Sequence, residues 1–133
     1  IALACLAATG AGAASLRVAP IMLDVAAGTA STTLRVWNTD QVPIRVQVRV
    51  YLWTHKGNND TLTPTTAVVA SPPIGVLKPG GENLIRIVRV ATTPVTAREN
   101  YRVLVDQLPD PKAQKAGVVS ILVRHAIPLH FEP

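Results

Sequence analysis

The sequence predicts an all-β protein, a sandwich of about seven strands, and three observations carry that prediction. Apolar residues recur with a period of two from Ser15 onward, most clearly in Ile44–Trp53. The 11 prolines and 8 glycines are spread along the chain, as turn formers between short strands are. No segment carries apolar residues at helical spacing, and none repeats another. With 133 residues, 48% of them apolar, the chain has material for one packed core. Two antiparallel sheets face to face suit this pattern best, with a closed barrel as the alternative.

The first segment differs in composition from everything after it. Ile1–Ala14 is apolar, uncharged and rich in alanine, and it ends in small residues that allow cleavage after Ala13 or Ala14. It reads as the remnant of a secretory signal peptide, too short to span a bilayer. A short buried strand or helix is the alternative. Cys5, the only cysteine, lies inside it. Ala2-Leu3-Ala4-Cys5 is faintly like a lipoprotein cleavage site, but too little apolar sequence precedes it. With the leader removed, the domain has no thiol and is held by packing alone.

The strands follow in order. Leu16–Val25 is the first, broken by Pro20, which belongs at an edge or at a switch between sheets. Thr32–Asn38 is the second, closed by the turn Asn38–Gln41. In Ile44–Trp53, Ile44, Val46, Val48, Val50 and Leu52 point one way and Arg45, Gln47, Arg49, Tyr51 and Trp53 the other, the signature of a half-buried strand. Lys56–Asp60 reads as a polar turn. Ala67–Ala70 and Ile74–Leu77 flank Pro72-Pro73, which enforces an extended corner, and Lys78–Gly81 is a tight turn. Asn83–Val90 and Tyr101–Leu108 are separated by a loop around Thr93-Pro94. Asp110–Gly117 is a solvated connection, and Val118–Phe131 is the last and longest strand.

That last strand breaks the alternation. Val119, Ile121 and Val123 form one face, while Val118 and Leu122 occupy the other with only Ser120 between them. A strand apolar on both faces needs cover on both. It is either central in a thick core or an edge awaiting another chain, and composition alone leaves both readings open.

The formal net charge is +5, but the basic residues occur singly and aromatic residues total only 4%, which argues against nucleic acid. An acidic protein partner fits the charge as well. Nothing points to an enzyme, a cofactor or a metal site. His125 and His130 stand at an odd separation on one strand and face opposite sides, so they cannot chelate one ion. Ser15, Ser31, Ser71 and Ser120 lack a nucleophile-elbow context, and the aspartates sit singly on separate elements. Tyr101 is expected to fix a strand corner.

Five segments, in order, resemble the first domain of the PapD-like periplasmic pilus chaperones of the chaperone–usher pathway. They are Leu16–Asp24; Leu34–Asn38; Ser71–Gly80 running into Leu84–Ile87; Tyr101–Pro109; and Val119–Pro133. The series Pro-Pro, Lys-Pro-Gly, Ile-Arg-Ile and Tyr-Arg…Leu-Pro makes the resemblance specific. It implies an immunoglobulin-like β-sandwich over 15–133, and it stops where such chaperones pass into a second, similar domain, which this sequence is expected to lack. It also implies a role in the periplasm: a pilin-like subunit whose fold lacks a strand receives the chaperone's last strand until an outer-membrane usher takes the subunit over. Physically that is β-augmentation. Gap-free matching from Phe131-Glu132-Pro133 places the donated side chains at Val119, Ile121 and Val123.

One departure stands out. Such chaperones hold the subunit's terminal carboxylate with an arginine and a lysine, and here the matching positions are Pro20 and Pro128. The surroundings, Ala19-Pro20-Ile21 and Ile127-Pro128-Leu129, resemble instead the divergent, archaic branch. The anchor is then expected among Arg86, Arg89, Arg102 and Arg124, with Arg89 favoured for its place just beyond Ile-Arg-Ile. Neither nucleic acid nor membrane insertion is expected. Self-association through the last strand is expected.

Overall fold

The computed structural model describes residues 15–110 and 121–133, and these form a β-sandwich without a helix. Its ten strands are β1 (Leu16–Ala19), β2 (Leu23–Val25), β3 (Ser31–Asn38), β4 (Ile44–Lys56), β5 (Asn59–Pro64), β6 (Val68–Ser71), β7 (Ile74–Leu77), β8 (Glu82–Arg89), β9 (Glu99–Leu108) and β10 (Arg124–Phe131). One sheet has the order β1-β3-β8-β6. The other runs β2-β10-β9-β4-β5, with β7 also paired to β4. All pairings are antiparallel except that of β10 with β2.

The period of two works as the sequence predicts. Ile44, Val46, Val48 and Val50 of β4 are buried, as are Leu34 and Val36 of β3, Ile85 and Ile87 of β8, and Val103 and Val105 of β9. Burying each such side chain contributes about 1.5–3 kcal/mol. The inner faces of the two sheets thus make one core, with no disulfide among the described residues to assist it. At one end Phe131 meets the Tyr101 ring edge-on, centroids 5.8 Å apart.

The sandwich is the predicted architecture, cut into shorter pieces than the sequence shows. The first strand divides at Pro20: β1 joins one sheet, β2 the other, and the two sheets share a corner there. The polar stretch 56–60 is narrower as a turn than expected. Gly57, at φ +62°, and Asn58 form a two-residue hairpin, and β5 follows from Asn59. Every residue of β5 is exposed, so it carries no apolar alternation to announce it. The last strand is shorter than expected: among the described residues it starts at Arg124, and Ile121–Val123 precede it outside the regular ladder. Residues 1–14, read from the sequence as a leader, and Val118, Val119 and Ser120 lie outside the described residues.

Candidate functional site

The open edge of β10 is the feature from which a site can be built. β9 flanks β10 along its whole length, from Arg124↔Asp106 to Phe131↔Glu99. On the other side β2 covers only Leu129–Phe131. The Gln107 amide donates to the Val123 carbonyl oxygen at 2.9 Å, so odd-numbered residues of this strand turn their backbone groups toward β9. Even-numbered residues turn theirs away, as the 3.0 Å bond from the Glu132 amide to the Val25 carbonyl shows on the β2 side. The backbone N–H and C=O groups of Arg124 and Ala126 therefore face a side where no strand of the described residues lies. Pro128, which has no N–H, occupies a position where the β9 ladder asks for none.

Side chains along β10 make the edge apolar. Ile127, Leu129 and Phe131 are buried in the core. Continuing the same row toward the amino end, Val123 packs partly against that core, and Ile121 stands clear of it, 86% exposed. One row of side chains thus leaves the interior and ends in solvent. Val119, the next position in the predicted row, lies outside the described residues. Leu122, of opposite parity, is 43% exposed. Between Val123 and Ile127 the row holds His125, whose Nε2–H donates to the Leu16 carbonyl oxygen at 2.8 Å. Leu16 belongs to β1, the edge strand of the other sheet, so the histidine spans the mouth between the sheets.

The four candidate arginines do not converge. Arg89, favoured by the sequence, is engaged internally: Nε and one terminal nitrogen grip both oxygens of Glu99 at 2.9 and 3.0 Å, and the other nitrogen donates to the Ala91 and Thr93 carbonyls. The Arg89 guanidinium holds the Glu99 carboxyl below its usual range, against the opposing effect of burial. Tyr101 donates its hydroxyl to Glu99 at 2.8 Å; burial first, and then Glu99, push its pKa up to about 12. Arg86 is exposed on the outer face of the smaller sheet, beside Thr33 and Ser71. Arg102 and Arg124 share the outer face of the larger sheet. Arg102 lies 4.3 Å over the Trp53 ring. Arg124, on β10 itself, donates to Asp106 at 2.5 and 3.3 Å and keeps 60% of its side chain exposed.

Asp106 was invisible to sequence reasoning as anything but a lone aspartate. The structure puts it between Arg124 and Arg49, whose terminal nitrogen donates to it at 2.8 Å. Burial pulls its pKa up, and the two guanidinium groups together outweigh that and hold it below the usual range. The signal that could have revealed it is the register: Asp106 is opposite Arg124, and both are of outward parity. His130, on the face opposite His125, contacts Asn100 through Nδ1 at 2.8 Å, and burial first, with Arg98 and Arg102 nearby, lowers its pKa. No three His, Cys, Asp or Glu side chains among the described residues gather as metal ligands would.

Comparison with known proteins agrees with this geometry. Residues 15–133 match the model of the pili and flagellar-assembly chaperone family, PapD N-terminal domain, and the chain belongs to that family. Among solved structures it is similar to a chain of the CsuC–CsuE chaperone–tip adhesion subunit pre-assembly complex from the archaic chaperone–usher Csu pili of Acinetobacter baumannii. That match has 27% identity and a TM-score of 0.76, covering 90% of this chain and 57% of the other. The E. coli chaperone DraB matches at 25% identity and TM-score 0.70, over 90% and 55%. A structure of the Salmonella enterica SafA pilin with the SafB chaperone matches at 22% identity and TM-score 0.72, over 92% and 56%, a likeness of fold. The chain spans a little over half the length of these relatives. No curated protein sequence matches it.

Proposed function

We propose that the chain is the strand-donating domain of a periplasmic chaperone for pilin-like subunits. The open edge of β10, with the core row running out to an exposed Ile121, carries this reading. An incoming subunit strand pairs with the free N–H and C=O groups of Arg124 and Ala126 and with the stretch before them. Val119, Ile121 and Val123 then fill the groove left by the subunit's missing strand. Each buried aliphatic group contributes about 1.5–3 kcal/mol before the costs of association. Backbone pairing gives affinity, and the alternate side chains fix register. The held subunit cannot add to another until an outer-membrane usher receives it. This role needs no catalytic group, and it places the protein in the periplasm behind a cleaved leader.

Among the candidate anchors for the subunit's terminal carboxylate, the reading now turns to Arg124. It lies on the open strand and is largely exposed, whereas Arg89 would first have to release Glu99. The test is co-expression of the full-length chaperone with its cognate subunit. Ile121→Asp is expected to abolish recovery of soluble subunit, and unchanged recovery overturns the strand-donation reading.

A further inference from the structure

Apart from Arg124, the outer face of the larger sheet has a composition that strand donation does not use. Across β4, β9 and β10 it presents Arg45, Arg49, Arg102 and Arg124 against a single acid, Asp106, which is 7% exposed and already held by two of them. The basic side chains on these strands' outer face are arginine or histidine, with no lysine among them. Trp53 and Tyr51 lie between them, with Arg102 4.3 Å over the first ring and Arg49 5.6 Å from the second. Beside this cluster β7 turns Ile74 and Val76 outward, 53% and 59% exposed, next to Gln47 and Arg45.

Arginine, tryptophan and tyrosine are the residues that protein interfaces concentrate at their centres, while lysine is depleted there. Rings and Asp106 fix several of these guanidinium planes before any partner arrives, so less side-chain freedom is lost on docking. A nucleic-acid or membrane surface would instead draw on lysines and a run of basic charge, which this face lacks. We propose that this face is a second docking surface, separate from the β10 edge, for an acidic patch on a partner protein whose carboxylates meet Arg45, Arg49 and Arg102 and whose apolar rim covers Ile74 and Val76. Charge complementarity is the argument for that occupant: across β4, β9 and β10, three positive charges remain once Asp106 is offset against the four arginines, and two when Arg124 is engaged by a subunit.

The full-length protein in a Trp37→Phe background, which leaves Trp53 as the reporter in this domain, is titrated with a poly-L-glutamate peptide and followed by fluorescence. Saturable binding that weakens with salt is expected, lost at least tenfold in Arg102→Glu and in Arg45→Glu, and changed less than twofold in Arg35→Glu on the opposite sheet. Circular dichroism checks that each variant is folded, and Arg45, being exposed, is the variant least able to disturb the fold. Equal losses at Arg35 and Arg45 overturn the proposal, as does equally tight binding of a single-stranded oligonucleotide or of anionic vesicles. Arg45→Glu is expected to leave subunit recovery as it is, so this inference and the strand-donation reading fail separately.

Discussion

The His125 imidazole donates Nε2–H to the Leu16 carbonyl oxygen at 2.8 Å, joining β10 to β1 across the side of the sandwich where β1 is an edge strand and β10 is not yet covered by β2. The Thr39 amide bonds the Ser15 carbonyl at 2.8 Å, so Leu16 turns its own carbonyl away from β3 and toward that open side. The histidine satisfies a carbonyl that no ladder reaches. Its removal is expected to destabilise the domain by about 1 kcal/mol, read as a lower urea midpoint in His125→Ala. His125→Gln, which retains a donor, recovers part of the loss; equal losses in both variants would mean that packing alone is at stake.

Strand addition at β10 can be separated from folding by one substitution. Ala126 directs its N–H to the open side, so Ala126→Pro removes a donor that the domain itself does not use. Stability is expected to change by less than about 1 kcal/mol. Subunit recovery should fall, and any dimer formed through this edge should sediment as monomer. His125→Pro is the contrast: it removes a ladder bond to β9 and should unfold the strand. Full subunit binding by Ala126→Pro would rule out pairing at this edge.

Arg89 and Glu99 are expected to behave as a structural pair. The Arg89 side chain is 9% exposed and Glu99 26%, and the arginine also holds the carbonyls of Ala91 and Thr93. Glu99→Gln leaves a nearly buried guanidinium without its counter-charge, at a cost of about 2–3 kcal/mol. Calorimetry should show a clear fall in Tm. An unchanged Tm would return Arg89 to the front rank of carboxylate anchors.

Acid should unfold the domain in two overlapping stages. Glu99 and Asp106 have depressed pKa values in the folded state, so the unfolded chain takes up their protons first and stability is lost as pH falls below about 4. His130 is also depressed, chiefly by burial; for a base this again means the unfolded chain binds the proton first, so its share is lost as pH falls from about 6.5. Urea midpoints measured from pH 7.5 to pH 3 should decline throughout, and His130→Asn should flatten the upper part. A midpoint that rises on acidification would contradict the assignment.

The sequence determined what a single strand can determine. Alternation in Ile44–Trp53 fixes which valines are interior, because a pleated strand sends successive side chains to opposite faces whatever its neighbours are. Pro20 marks the switch between sheets, since a residue without N–H is costly inside a ladder. The double-sided apolar run before Arg124 was legible as an anomaly for the same reason. Strand β5 was not legible, because all its residues are exposed and it is held by pairing with β4, where Asp60 also contacts His55, rather than by a buried apolar face. The fate of an arginine was not legible either. Arg89 is spent on Glu99, Arg102 rests on Trp53, and Arg124 shares Asp106 with Arg49, pairings reaching up to 57 residues along the chain. Alternation says which face a side chain leaves by. Only the packing of strands distant in sequence says which charge or ring it finds there, because electrostatic and stacking contacts depend on positions in space that local periodicity does not encode.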